Sequence, residues 1–454
     1  MSLLLRQCKY VISPLSLHEI AVYGERDILI ENGVIECFAK HCDAPRGIDI
    51  IDCREFIAMP ALGNAHTHAA MVALRGYADD YELFEWLERV WQAEKLLSRD
   101  VVYFATLIGC IEMAMSGIGA FQDMYFFPDE VVRAALKIGL RVRTGPIVGI
   151  DNLDMKRWKA LESSSNGMFN TVINLHSLYG VDMDLIEKAF ELSKTHSIDI
   201  HMHISETRRE VFEVKRRFGK LPIEFLESRG WLSPRLIAVH LNWVTTWELD
   251  YIARAKVRVV VNPTSGAKLA VGGFAPLREM LERGIDVGLG TDGACSSNRL
   301  SILREMRMLV LLYRHNYWDT WIRASHALYI ATRGSYGVMK IRGGVIEPGA
   351  VGDIVLIDLK TPWLYPTTPT RLVSHIVYAL EQSNIRYTIV NGRVVWSPET
   401  SENLVKLFLE ATKHIDRYID KIEELREDVR KGDDPELVER FELFIASREI
   451  ANAF

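Results

Sequence analysis

Four scattered pieces of this chain carry groups able to work on one metal ion: His66-Thr67-His68, His203-Ile204-Ser205-Glu206, His240, and Asp292 within Gly290-Thr291-Asp292-Gly293. Each closes a short apolar run that reads as a β-strand. Imidazole and carboxylate are the usual ligands of zinc-like ions, so the set describes the centre of a metal-dependent hydrolase.

His66 and His68 stand two apart on a strand and therefore share a face, which is the inner one if the neighbouring odd positions face helices. A single buried histidine is usually a satisfied core residue; two at one strand end, before the Ala-rich Ala69-Ala70, favour a ligand pair. His201 and His203 share a face in the same way. His203 is nearer the strand end and is the ligand, whereas His201 lies one layer deeper and reads as structural. Glu206, three residues past His203, is displaced from the ion but within reach of a water there, the place for a general acid/base. Asp in a Thr-Asp-Gly turn is by itself most often an Asx-turn residue. Here it closes the last strand, with Gly290 and Gly293 letting the backbone turn sharply, and His240 completes the ring.

The elements that must position these groups repeat from Ile57 onward as apolar run, turn and helical stretch. Strands are expected at Ile57–Ala65, Ile118–Met124, Arg141–Val148, Thr171–His176, Asp199–Ile204, Leu236–Leu241, Val257–Asn262 and Asp286–Gly290. Alternating with helices, they make an α/β chain with a (β/α)8 TIM barrel over residues 57–343, whose active site gathers at the strand C-termini. The flanks, 1–56 and 344–400, are strand-rich and contain the hairpin signal Glu31-Asn32-Gly33; together they form one small β-sandwich domain. Residues 401–454 read as C-terminal helices. There Leu404, Phe408, Ala411, Ile415, Ile422 and Leu425 form a stripe suited to packing on the barrel or on a second copy in a homodimer, with a break at Gly432-Asp433-Asp434-Pro435.

Composition excludes several classes. A net charge of −6 without a Lys/Arg-rich run offers no face for nucleic acid. No stretch approaches the roughly 20 apolar residues of a membrane span, and Leu3-Leu4-Leu5 is too short for a secretory core, so a soluble cytoplasmic protein is expected. The six cysteines contain no Cys-x-x-Cys and read as free thiols.

Gly63-Asn64-Ala65-His66-Thr67-His68-Ala69-Ala70-Met71, Leu74-Arg75-Gly76-Tyr77-Ala78-Asp79-Asp80, His203-Ile204-Ser205-Glu206-Thr207, Asn262-Pro263-Thr264-Ser265 with Lys268-Leu269, and Gly290-Thr291-Asp292-Gly293 together resemble the amidohydrolase superfamily. The likeness, over residues 1 to about 400, is to its aminohydrolase branch of methylthioadenosine/adenosylhomocysteine deaminases and triazine hydrolases. It implies one divalent ion, usually zinc although iron or manganese also suit three His and one Asp, held by His66, His68, His203 and Asp292. His176 stands where two-metal members carry a carboxylated lysine. The resemblance further implies that the ion lowers the pKa of bound water to roughly 7, with His240, Glu206 and Asp292 catalytic, and that the small-molecule heterocyclic substrate meets Trp86, Glu94 and His176. The segment from Trp86 to Glu94 is one residue shorter than the family pattern. Gly145-Pro146-Ile147 stands where relatives place an Arg, Gly266 where they place Asn, and Leu178 where they place Pro. Adenosylhomocysteine thus fits less well than a smaller nucleoside such as methylthioadenosine. Guanine, cytosine, pterin or triazine rings, with chloride or alkylamine leaving groups, remain alternatives, as does a catalytically silent binding barrel.

Overall fold

Apolar alternation builds two sheets, and the computed structural model, which describes residues 2–431, shows how they divide the chain. The first strands are β1 (Ser2–Ser16), β2 (Glu19–Glu31), β3 (Val34–Ala39), β4 (Asp49–Asp52) and β5 (Phe56–Pro60). The hairpin between β2 and β3 turns at Asn32 and Gly33 with φ of 50° and 80°, the left-handed pair that a two-residue hairpin loop requires. Then come β6 (Leu62–His68), β7 (Ile118–Asp123), β8 (Arg141–Thr144), β9 (Phe169–Leu175), β10 (Asp199–Ile204), β11 (Leu236–His240), β12 (Arg258–Val261), β13 (Val287–Leu289) and β14 (Asp292–Gly293). Strands β15 (Ile354–Asp358), β16 (Ile385–Val390) and β17 (Arg393–Trp396) return to the first sheet.

That first sheet is mixed and runs β17-β16-β15-β5-β1-β2-β3, with β4 pairing β1. The second is parallel and curled, in the order β13-β12-β11-β10-β9-β8-β7-β6-β14. Its two end strands are consecutive pieces of chain, separated by Gly290 and Thr291 alone. Helices intervene between the parallel strands, giving a TIM-barrel-like α/β arrangement. All eight expected strands are present, but Ile57–Ala65 is not one strand: Phe56–Pro60 pairs β15 in the mixed sheet, and Leu62 onward pairs β7. A continuous apolar run cannot reveal that its pairing partner changes at Ala61.

Side-chain alternation separates an inner face from an outer one. Ile200, Met202 and Ile204 of β10 join the main core against the helices, leaving His201 and His203 on the other face. Ile237, Val239 and Val260 pack there with Ala65 and Val338 in a separate small cluster. Ala65 is therefore inner, contrary to the expectation that odd positions face the helices. Between Asn64 and Thr67 the register against β7 slips by one residue, and the extra residue of this bulge resets the alternation so that His66 also faces inward.

At the N-terminal end of the parallel strands, Asp199 accepts from Arg143, from Arg258 Nη2 at 2.7 Å and from Lys340 Nζ at 2.7 Å. Arg141 Nε bonds Asp353 Oδ2 at 2.7 Å, both groups buried, and joins the two sheets. Cys37 and Cys42 form a disulfide, their Cα atoms 6.0 Å apart, which corrects the free-thiol expectation for that pair; Cys8, Cys53, Cys110 and Cys295 are free. The end of β3 bends the chain back within the reach a disulfide needs. Among the described residues no helix is long and apolar enough to cross a membrane.

The C-terminal helix, Ser401–Lys431, buries Leu404, Ala411, Ile415 and Ile422, and packs on α2 (Arg99–Met115), which follows α1 (Leu83–Glu94). Phe408, expected in the stripe, is 40% exposed instead. The break at Gly432-Asp433-Asp434-Pro435 and any later helix lie outside the described residues.

Burial alone would raise the Asp199 pKa, yet Arg143, Arg258 and Lys340 outweigh it and hold it at about 2. A carboxyl with a folded pKa below its unfolded value of about 3.9 stabilises the fold above that value, and this contribution is lost as pH falls toward 2. Asp199→Asn leaves two buried guanidiniums uncompensated and should cost roughly 3–5 kcal/mol in urea unfolding at pH 7, with a flatter acid limb than the parent protein.

Candidate active site

The inner histidines meet where β6, β10 and β14 end. His66 Nε2 lies 3.3 Å from His203 Nε2 and 3.2 Å from Asp292 Oδ1, and His68 Nε2 lies 3.1 Å from the same carboxylate oxygen. One ring nitrogen from each of His66, His68 and His203 falls within 4.8 Å of the others, and the same holds for ligand atoms of Glu206, His240 and Asp292. The structure thus brings together all six residues singled out for metal binding and acid/base work. They are nearly sealed from solvent: His66 is 0% exposed, Asp292 6%, His203 7% and Glu206 9%.

Hydrogen bonds on the far side of each ring decide which nitrogen faces this point. The Asn174 amide nitrogen donates to the Asp123 and Gly145 carbonyls at 3.2 and 3.0 Å, so its oxygen is turned to His201 Nδ1 at 3.1 Å. His201 then carries its proton on Nδ1 and accepts through Nε2 from His66 Nδ1 at 3.0 Å. That leaves a lone pair on His66 Nε2. His203 Nδ1 donates to the His176 carbonyl at 3.0 Å, and His68 Nδ1 donates to the Met124 carbonyl. Burial pushes the pKa of His66 down to about 4, against the pull of Asp292, and drives those of His201 and His203 well below the imidazole range. The lone pairs of His66 and His203 meet beside a carboxylate, and His68, whose pKa burial would lower but Asp292 raises to about 9, is the ring drawn to carry positive charge there; three imidazoles and a carboxylate gathered where a cation is favoured are a donor set that fits a divalent ion. His201, read from sequence as structural, orients the His66 ring.

Asp292 Oδ2 accepts from Ser265 Oγ at 2.6 Å and Ser296 Oγ at 3.0 Å. Burial works against its charge, but the bond from His68, itself drawn toward its charged form by this carboxylate, holds the Asp292 pKa well below the carboxylate range. Glu206 is opposite in character: burial raises its pKa well above the usual value, and Asp292 and Glu210 add to this. Glu210 accepts the backbone N–H groups of Ser205 and Glu206 at 2.9 and 2.7 Å, which holds that loop. The Asn262 amide donates to His240 Nδ1 at 3.2 Å, so the other ring nitrogen carries the proton and faces Glu206 Oε1 at 3.6 Å.

Backbone strain contributes to this arrangement. Strict alternation would set His240 on the outer face with Leu236 and Ala238, but its φ of 77° swings the side chain back to the mouth. Ser205, Leu241 and Asp292 also take left-handed φ values of 53°, 52° and 58°, each uncommon for a residue with a Cβ. The glycines around Asp292 act otherwise than expected: neither Gly290 nor Gly293 has positive φ, and they serve by close approach. A Cβ on Gly290 would lie 2.3 Å from Asn262 Oδ1, and one on Gly293 would lie 2.4 Å from Met71 Sδ.

Of the three residues matched to a substrate-binding pattern, His176 sits with its ring 5.2 Å from that of His203 and bonds Ser177 Oγ at 3.1 Å. Glu94 ends α1 beside Tyr125 and faces His68, with burial raising its pKa to about 7. Trp86, in the same helix, is 4% exposed and packs against Cys295. Motif residues farther out form a clamp: Lys268 bonds Asp79, Asn298 and, at 3.1 Å, the Cys295 carbonyl. Sequence reasoning missed Asn174, Glu210, Ser296 and Tyr125; Asn262 and Ser265 were visible in a motif without a role. At Gly145 the backbone lies against β9, where a Cβ would be 2.0 Å from the Val172 carbonyl oxygen, so no side chain projects from that point.

Residues 57–395 match the amidohydrolase family. The 5-methylthioadenosine/S-adenosylhomocysteine deaminase of Pyrococcus furiosus is 35% identical over 393 residues, covering 82% of this chain and 93% of that one. The 5'-deoxyadenosine deaminase of Methanothrix thermoacetophila is 34% identical over 403 residues, covering 87% and 95%. An adenosine deaminase from Xanthomonas campestris, solved with bound zinc, superposes with a TM-score of 0.83 at 27% identity over 92% of this chain and 98% of that one. The zinc complex of atrazine chlorohydrolase from Arthrobacter aurescens shares the fold, with a TM-score of 0.80 at 23% identity over 90% and 99%.

Removing the Asn174 oxygen frees His201 to switch tautomer and to compete for its proton with His66. Asn174→Leu should therefore weaken zinc binding by roughly 10- to 100-fold, the usual effect of losing a ligand's outer partner. Chelator competition on the purified protein measures this; unchanged affinity would remove the relay from the account.

Proposed function

The chain belongs to the amidohydrolase family, and from that premise we propose that it is a metal-dependent deaminase releasing ammonia from the adenine ring of a small nucleoside. It is a hydrolase acting on carbon–nitrogen bonds other than peptide bonds in cyclic amidines. The observation that carries the rest is that His66 and His68 turn Nε2 to one oxygen of Asp292 while His203 Nε2 lies 3.3 Å from that of His66, with Glu206 and His240 beside them. His66, His68, His203 and Asp292 would hold one divalent ion, most simply zinc, which supplies a Lewis acid that makes water acidic at neutral pH. The names of the relatives, which act on adenosine-like nucleosides, support the substrate class.

The residues divide the work. His240, its protonated nitrogen turned to Glu206, orients the attacking water. Glu206 takes a proton from that water and delivers it to a ring nitrogen, making the amine-bearing carbon electrophilic; its raised pKa suits a group that must hold a proton in a dry site. Asp292, steadied by Ser265 and Ser296, accepts the second proton and passes it to the leaving amine. Water and the amino compound thus become the oxo compound and ammonia. Trp86, Glu94 and His176 are the substrate contacts, Glu94 taking the sugar. With Gly145-Pro146-Ile147 offering no cation for a charged tail, methylthioadenosine or a nucleoside of similar size is preferred to adenosylhomocysteine.

This reading takes the two end pieces of the parallel sheet as one eighth strand interrupted at Gly290-Thr291, closing an eightfold barrel over residues 57–343. The mixed sheet from residues 1–56 and 344–400 then forms the composite β-domain, a small sandwich around Leu5, Ile28, Ile30, Ile354 and Leu356, and residues 401–454 form the extension.

Ammonia release from 5'-deoxyadenosine, methylthioadenosine, adenosine, guanine and cytosine, with zinc counted in the same preparation, tests the function. Glu206→Gln should lower kcat by roughly 10²- to 10⁴-fold, the range for a lost general acid/base, with zinc content unchanged. Near-normal turnover by that variant would refute the proton-transfer role.

A further inference from the structure

The C-terminal helix lies beyond the family match, which ends at residue 395, yet it reaches the end of α1, where Glu94 stands. Its buried stripe is laid on α2, and the His414 ring stacks on Phe104 with centroids 3.9 Å apart. From that stripe Tyr418, 3% exposed, extends across to α1 and donates its hydroxyl to the Ala93 carbonyl at 3.2 Å. Ala93 immediately precedes Glu94. The Tyr418 hydroxyl also faces Glu94, Tyr77 and Cys295, while Glu94 in turn faces Tyr125 and His68. A side chain more than three hundred residues away in sequence therefore holds the last turn of α1 at the point from which Glu94 projects.

The anchoring is directional. An α-helix leaves its final carbonyls without the regular helical partner; that of Ala93 accepts from the Leu96 N–H at 3.1 Å in the tighter turn that follows, and its second lone pair is open to a donor from outside the helix. Tyr418 supplies a fixed donor to one of those carbonyls, mounted on a 31-residue helix that is itself packed along α2. Its aromatic ring is buried in the main core, and its hydroxyl reaches the residue that precedes Glu94. Loss of the hydroxyl leaves the packing and removes the anchor.

The geometry points to Tyr418 as a positioning residue for substrate recognition: through Ala93 it sets where Glu94 stands, and so the C-terminal helix tunes the grip on the sugar without touching the reacting atoms. This rests on the reading of Glu94 as the sugar contact in a nucleoside deaminase.

A double-mutant cycle on the full chain, read on 5'-deoxyadenosine and adenosine, separates this from mere packing. Tyr418→Phe should raise KM about five- to tenfold, the order of one hydrogen bond, with kcat within about twofold, zinc content unchanged and the melting temperature nearly so. In the Glu94→Gln background the same substitution should have little further effect on KM. An unchanged KM in Tyr418→Phe, equal losses of kcat and melting temperature, or costs that simply add to those of Glu94→Gln would overturn the positioning role and leave the deaminase reading intact. If the parent protein releases ammonia from no nucleoside, that reading fails first and this inference falls with it.

Discussion

The Asp292 carboxylate is held at a break in the parallel sheet, and the strands on both sides of that break hold it there. Gly290 N–H bonds the Val261 carbonyl at 3.0 Å on one side of the break, and Thr291 N–H bonds the His66 carbonyl at 3.1 Å and Asn64 Oδ1 at 3.0 Å on the other. Thr67 Oγ1 then caps the Asp292 carbonyl at 2.9 Å. With the backbone pinned from both neighbouring strands, a carboxylate can face two imidazole nitrogens in a site with little water, where charges interact far more strongly than in bulk solvent. The break that moves pairing from β12 to β6 also places the Asp292 carboxylate beside the histidines.

Regular strands alone would scatter these groups. A period of two sends successive side chains to opposite faces, and by that rule His66 and His240 belong among the helices. The bulge in β6 and the left-handed backbone at His240 bring them inside. Such departures persist where surrounding contacts over-determine them, and here each is tied down: Thr67 and Asn64 bond across the break, and Asn262 bonds the His240 ring. Precision at the mouth is obtained by local irregularity on a regular frame.

The frame is reinforced far from the chemistry. Asp199 ties β8, β10 and the turn at Lys340 at the opposite end of the strands, and Arg141 with Asp353 ties the two sheets. Around the mouth, Lys268 links the segments after β6, β12 and β14 through Asp79 and Asn298. The C-terminal helix adds a brace behind α1. Buried ion pairs carry a desolvation cost that offsets much of their attraction; in this protein they join segments far apart in sequence, among them the two sheets.

The amino-acid sequence by itself determined which residues could do chemistry together: histidines two apart at strand ends, a carboxylate three residues past His203, and a Thr-Asp-Gly turn on the last strand are local patterns, readable wherever residue type and spacing carry the meaning. Strand positions in the parallel sheet were legible for the same reason, since periodicity is local. Only the tertiary structure decided which face each side chain takes, which nitrogen of His66 is free, that Gly290 makes room for Asn262 rather than bending the chain, that Cys37 pairs with Cys42, and that Tyr418 stands behind Glu94. These depend on contacts between segments distant along the chain, such as His66 with Asp292 and Asn174 with His201. Periodicity records which residues are apolar, but carries no record of which distant groups will meet.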